Sequence, residues 1–184
     1  MTDQSATFEI LETLHANAPH EENREKLMLF GQFVGTWDMQ VKFYDENGRK
    51  TYDQAGAWSF SWILDGRAIQ DVPIYPNPDK ALSYGPGDRR IGTTLRYYDP
   101  KQNLWRVIWL GAVTGNLGVM TARGIDDEIW IEEKESDGSL TKWIFTEITR
   151  DRFHWKGTIS TDQGKTWHME QEMFAQRRGH SDPS

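Results

Sequence analysis

The chain has no cysteine. Disulfides and thiolate chemistry are therefore excluded at the outset. No apolar run approaches the ~20 residues that a membrane-spanning helix needs. The N-terminus is polar and acidic, without the basic n-region and apolar h-region of a signal peptide, so a cytoplasmic protein is expected. Positive charge is in deficit: 21 Lys and Arg stand against 28 Asp and Glu, a net charge of −7. The negative excess is spread along the chain, which argues against nucleic acid or an anionic membrane as partner. Catalytic signatures are lacking too. There is no Gly-x-Ser-x-Gly, no obvious Ser/His/Asp set and no Gly-rich turn joining strand to helix in P-loop fashion. Asp126-Asp127-Glu128 and Glu132-Glu133 lack the spacing of a calcium loop and read as solvated charges. No metal and no cofactor is expected.

Aromatic residues are abundant instead, with nine Trp, eight Phe and six Tyr among 184 residues. The indole is large and its N–H wants a partner, so most of these rings belong in a core. A surplus beyond what the core needs would line a ligand cavity. The length fits one domain with a sizeable core.

The pattern is organised around residues 31–44. Trp37, Met39, Val41 and Phe43 alternate with Asp38, Gln40 and Lys42, the signature of a half-buried strand. Two amphipathic helices precede it, Thr7 to His15 and Glu21 to Phe30, separated by Asn17-Ala-Pro19-His20. They read as a cap or plug on one end of a barrel, spanning 1–32, with residues 1–6 loose. From Phe33 the chain reads as about ten strands separated by turn signals such as Asp45-Glu-Asn-Gly48, Asp65-Gly66, Asp137-Gly138 and Asp162-Gln-Gly164. One connection is long and irregular, Tyr75 to Arg90, and reads as a lid or rim insertion. Short connections make sequence neighbours antiparallel neighbours. An open sheet of this size would leave two bare edges, so closure is expected: an all-β fold, a closed up-and-down barrel of about 8–10 strands over 33–178 with a polar tail at 179–184. Such a barrel holds one small molecule.

Phe33-Val-Gly-Thr-Trp37, Leu64-Asp-Gly-Arg67, Tyr97-Tyr-Asp-Pro100 and the run from Met169 to Arg177 carry a resemblance. In this order they resemble the lipocalin-like (calycin) barrels, and more narrowly a DUF1579-type bacterial family. The resemblance implies a cavity and, at its base, an arginine of the last strand over the signature tryptophan, here Arg177 over Trp37. It implies no particular reaction. One calycin branch, the nitrobindins, binds haem through a histidine. Here His154 and His168 share faces with charged residues, and the nitrobindin opening Gly-x-Trp-x-Gly-x-Gly is missing. His15 and His20 on the helical cap would face the cavity only if the cap covers the mouth.

Polar residues on apolar strand faces are the remaining candidates, because a buried charge must pair or act. Glu147 shares a face with Trp143 and Phe145, Asp71 with Ile69, and Arg106 with Leu104, Ile108 and Leu110. Arg123 follows Val119 and Thr121, and Gln171 sits among Trp167, Met169 and Met173. The expected function is a binding module for a small apolar or aromatic molecule. Trp58, Trp62, Tyr97, Trp109, Arg123, Trp143 and Gln171 are its candidate contacts. The alternative is a cofactor-independent lyase, isomerase or hydratase of an aromatic or apolar acid. There Glu147 or Asp71 would serve as general acid or base and Arg106 would hold an oxyanion. Haem binding is the third reading. Exposed aromatics leave room for a homodimer. Which face of the second, fifth and eighth strands turns inward is open at this stage.

Overall fold

A computed structural model describes residues 4–76 and 90–179. The expected loose start falls partly outside them (1–3), as do most of the long connection (77–89) and the end of the tail (180–184). In chain order the elements are α1 (Gln4–Leu14), β1 (His15–Ala16), α2 (Arg24–Gly31), β2 (Gly35–Tyr44), β3 (Lys50–Ile63), β4 (Ala68–Tyr75), β5 (Arg90–Ile91), β6 (Thr93–Asp99), β7 (Leu104–Gly111), β8 (Asn116–Ile125), β9 (Glu128–Lys134), β10 (Leu140–Thr146), β11 (Arg152–Ser160) and β12 (His168–Arg177).

Ten of these strands form a closed antiparallel barrel. Each pairs with its sequence neighbour, and β12 pairs with β2 to complete the ring, Arg177 opposite Trp37 and Gln171 opposite Phe43. The two-residue β1 and β5 are short additions to β3 and β4. Closure satisfies the backbone groups that a bare edge would expose.

Turn chemistry sets the connections as expected. At the β2–β3 hairpin the Asp45 carboxylate accepts the backbone N–H groups of Asn47 and Arg49, both at 2.9 Å, and Gly48 takes a φ of 72°. Two glycines near the first strand have steric reasons. A Cβ on Gly31 would stand 2.4 Å from the Trp62 ring, so α2 can approach β3 only without one. Gly35 has a φ of 128°, and a Cβ there would lie 2.9 Å from the Arg177 guanidinium.

The core fills one end of the barrel. Leu27 and Phe30 of α2, then Phe33, enter this end as a plug. Phe30 meets Trp105 at 4.9 Å between ring centroids, and Phe33 meets Phe145 and Phe153 at 4.8 and 4.9 Å. Trp37 meets Phe153 at 4.7 Å and donates its indole N–H to the Phe33 carbonyl at 2.8 Å. Arg177 holds its guanidinium carbon 4.0 Å from the Trp37 ring centroid. It donates to the carbonyls of Gln32, Val34 and Arg150, each at 2.8 Å. Of the two helices expected to cap the barrel, α2 with Phe33 plugs the base, whereas α1 leads into β1 and leaves Ile10 and Leu11 exposed. His15 and His20 lie outside the barrel, His15 bonded to Ser61 and Asn17 and His20 to Arg67.

Candidate functional site: a tryptophan-walled cup

At the other end the barrel is hollow. A cup of about 730 Å³ opens there. Its wall carries Trp58, Trp109, Trp143 and Trp155 with Tyr75 and Met173. The Trp109 and Trp143 rings stand at 85° with centroids 5.9 Å apart, and Trp143 and Trp155 are 5.5 Å apart. Of the nine tryptophans, Trp37, Trp62 and Trp105 belong to the base and the plug, and Trp130 lies on the outer wall over Lys142 with Trp167 nearby. The remaining four line the cup: Trp58 and Trp155 are buried and also belong to the core, and Trp109 and Trp143 are the partly open surplus.

Between base and cup lies one buried ion pair. Asp71 on β4 and Arg96 on β6 are in direct contact, and neither has any exposed side chain. Trp58 fixes the carboxylate by donating its indole N–H to Oδ1 at 2.7 Å. The guanidinium carbon lies 5.0 Å from the Phe30 ring centroid, with Phe60 and Phe145 within 6 Å. Burial pulls the Arg96 pKa down to about 9, so the group stays cationic at neutral pH. Its charge is cancelled by Asp71 within the pair.

The sequence candidates divide around this frame. Trp58, Trp109, Trp143 and Gln171 line the cup. Asp71 sits beneath it in the ion pair. Glu147, Arg106, Arg123, Tyr97 and Trp62 do not reach it. Strand β10 stops at Thr146, and Glu147 adopts a left-handed backbone (φ 52°) that breaks its alternation with Trp143 and Phe145; its side chain is 65% exposed. Arg106 points outward to Asp99 because β7 turns Trp105, Val107 and Trp109 inward. Arg123 pairs with Glu132 on the outer wall at 2.9 Å. Tyr97 is outward and exposed, since its neighbour Arg96 takes the inward position. Trp62 is packed under α2. Trp167, expected to share a face with Gln171, is separated from it by a bulge. Thr158 pairs with Met169 and Gly157 with Gln171, leaving Glu170 unpaired at the cup's edge.

Sequence reasoning missed Arg96, Glu135 and Glu170, and it read Glu133 as a solvated charge, whereas Glu133 lines the cup and Glu132 alone faces outward. For Arg96 a signal existed. The short Asp99–Leu104 turn sets Arg96 opposite Val107, Tyr98 opposite Trp105 and Thr94 opposite Trp109, so whichever face holds the β7 tryptophans also holds Arg96.

The nitrobindin-like reading, a haem held by a histidine, finds no such ligand in the cup among the described residues. His154 lies on the outer wall as expected, yet is covered there: its ring stacks on Phe174 at 4.1 Å and bonds Glu172 at 2.8 Å. Among the described residues no cluster of three or more His, Asp or Glu is placed to hold a metal ion. No helix among them is long and apolar enough to cross a membrane.

The architecture is that of the lipocalin-like barrels, a closed antiparallel meander with one end plugged and the other open. An S-type phycobiliprotein lyase from Guillardia theta has this fold: the two structures superpose with a TM-score of 0.58 at 10% identity, over 88% of this chain and 99% of that one. At such identity the likeness is one of fold. No family model matches the chain and no curated protein matches it in sequence, so the narrower DUF1579-type resemblance gains no support.

Proposed function

We propose that the protein binds a small, largely apolar or aromatic molecule in the cup. The observation that supports this reading is the contrast inside one barrel: a cavity of about 730 Å³ walled by four tryptophans above a base packed with the rings of Phe30, Phe33, Phe145 and Phe153. A cavity of that size suits a ligand of one or two fused rings with substituents. Trp109 and Trp143 are the partly open rings and make the first contacts, with Trp58, Trp155 and Met173 behind them. The lipocalin-like fold of a phycobiliprotein lyase is compatible with a small-molecule site in such a barrel. Of the three groups expected to carry catalysis, Asp71 alone lies near the cup, and it is bound to Arg96 and covered. We therefore carry the binding reading alone.

Calorimetric titration with the neutral probe 2-(1-naphthyl)ethanol tests it. The expected result is saturable binding of one molecule per chain, weakened about five-fold or more by Trp143→Ala, since an aromatic contact and its buried area are lost. Absence of saturable binding, or equal affinity in the variant, overturns the proposal.

A further inference from the structure

We infer that the guest is an organic cation: an aromatic or apolar body carrying a protonated or quaternary nitrogen. This deepens the binding reading above and rests on it. Among the described residues five charged side chains line the cup. Three are carboxylates, Glu133, Glu135 and Glu170, and two are guanidinium groups, Arg90 and Arg96.

Of the two positive charges only Arg96 is neutralised, and the exposed Arg90 leaves the described lining with two negative charges in excess (three carboxylates against one guanidinium). Arg96 is in contact with Asp71 and has no exposed surface. Arg90 lies over the rings of Phe43 and Tyr52, its guanidinium carbon 5.3 and 5.8 Å from their centroids. The carboxylates are different. Among the described residues none of the three glutamates forms an ion pair, whereas Glu132, one residue from Glu133 and on the outer wall, is paired with both Arg123 and Lys142.

Their placement is built into the strands. The β8–β9 ladder ends at Thr121 opposite Glu132. Beyond it the two strands part, and the Glu133 carboxylate takes the place of a ladder partner, accepting the Val119 N–H at 3.0 Å through Oε1. Glu135 accepts from the Thr141 hydroxyl at 3.5 Å. Glu170 is the residue extruded by the β12 bulge. Regular alternation from the buried Ile129 and Ile131 brings Glu133 and Glu135 to the lining, and the β12 bulge adds Glu170.

Aromatic faces answer the same need. The Trp109 and Trp143 rings meet at 85° and form a corner of π surface within the cup. A cation seated there gains from both rings as well as from the carboxylates. An anionic guest would face three carboxylates against the one exposed guanidinium of Arg90 in the same space.

Three probes on one skeleton separate the possibilities: 2-(1-naphthyl)ethylamine (cation), 2-(1-naphthyl)ethanol (neutral) and 1-naphthylacetate (anion). Calorimetry on the full chain should show the amine binding about three- to ten-fold tighter than the alcohol at low ionic strength, with the anion weakest. The gap should narrow toward 1 M salt, where the screening length falls to about 3 Å. Glu133→Gln, which keeps an acceptor for Val119, and Glu170→Gln should each shrink the amine-to-alcohol ratio about two- to three-fold. If the alcohol equals or beats the amine, or the acetate binds tightest, the cation inference is overturned and the binding reading stands. If none of the three binds, both fall together.

Discussion

The same ten strands build both ends of the barrel, and both ends are rich in rings, yet one end is solid and the other hollow. In the base, α2 delivers Phe30 and Phe33 into the lumen, and Phe60, Phe145, Phe153, Trp37 and Trp105 close around them. At the mouth no helix among the described residues enters, and the rings stand against the wall. Interiors pack to the density of organic crystals when enough side chain is supplied. Phe33 and the α2 residues supply it below. What the difference teaches is that an inward ring is core or ligand wall according to what lies opposite it, not according to its own type. The Asp71–Arg96 pair marks the boundary, and Trp58, bonded to Asp71, faces both sides of it.

That contrast can be broken by matched truncations. Phe145→Ala in the base should cost about 3–5 kcal/mol of unfolding free energy, because it opens a void in a filled region. Trp143→Ala, two residues along the same strand, should cost clearly less than Phe145→Ala, because its ring already borders open space. Urea denaturation of both variants checks this, and equal costs would show the cup to be packed like the base. At the boundary, Asp71→Asn should cost about 3–5 kcal/mol, since it leaves the Arg96 charge buried without its partner. The pair replacement Asp71→Leu with Arg96→Met should recover most of that loss in the same assay. At the bottom of the base, Arg177→Lys should cost about 2 kcal/mol: it forfeits the planar fork that bonds three carbonyls and covers Trp37.

The smallest expected effect is at the rim. Tyr44 donates its hydroxyl to Glu172, and that bond, followed by burial and the nearby charges of Glu172 and Asp53, pushes its pKa up from 10.0 to about 12. The folded state therefore holds this proton more tightly than the unfolded state. The associated stability is full below pH 10 and is lost as pH rises toward 12. In Tyr44→Phe this part of the alkaline decline should vanish, which urea midpoints measured across that range would show. Glu172 behaves in the opposite sense. Burial works against its charge, but the bonds from Tyr44 and His154 and the charges of His154 and Lys42 prevail and hold its pKa below the usual value. Its contribution is present above the normal carboxylate range and fades as pH falls through it.

Most of the architecture could be read from the chain because turn residues and period-two alternation are local. Most of the ten long strands show both, and the α2-to-β2 corner shows two glycines with steric reasons. The site was less legible, for three reasons. The fate of Glu147 depended on one left-handed residue at the end of β10. Trp167 and Glu170 depended on a bulge that shifts alternation by one, and the glycine at that shift, Gly157, lies on the partner strand β11. On β6 the apolar residues Leu95 and Tyr97 face outward while Thr94 and Arg96 face inward, an inversion that only pairing with β7 imposes. Inversions of this kind occur where polar groups are needed inside, which is why the hardest strand to read also carries the buried ion pair.

The seam between β12 and β2 has a consequence for the order of events when the chain folds. Arg177 grips the carbonyl of Val34 across 143 residues of sequence, and every bond of that seam joins the two extremes of the barrel. A growing polypeptide on the ribosome could form each hairpin in turn, but its first and latest strands would remain adhesive margins until β12 emerged. Closure is therefore a late, long-range step of the kind that slows folding. Until it happens the hazard is sticking to a neighbouring chain, and a strand-like peptide of the β12 sequence, added in trans, would compete for the very margin that awaits it.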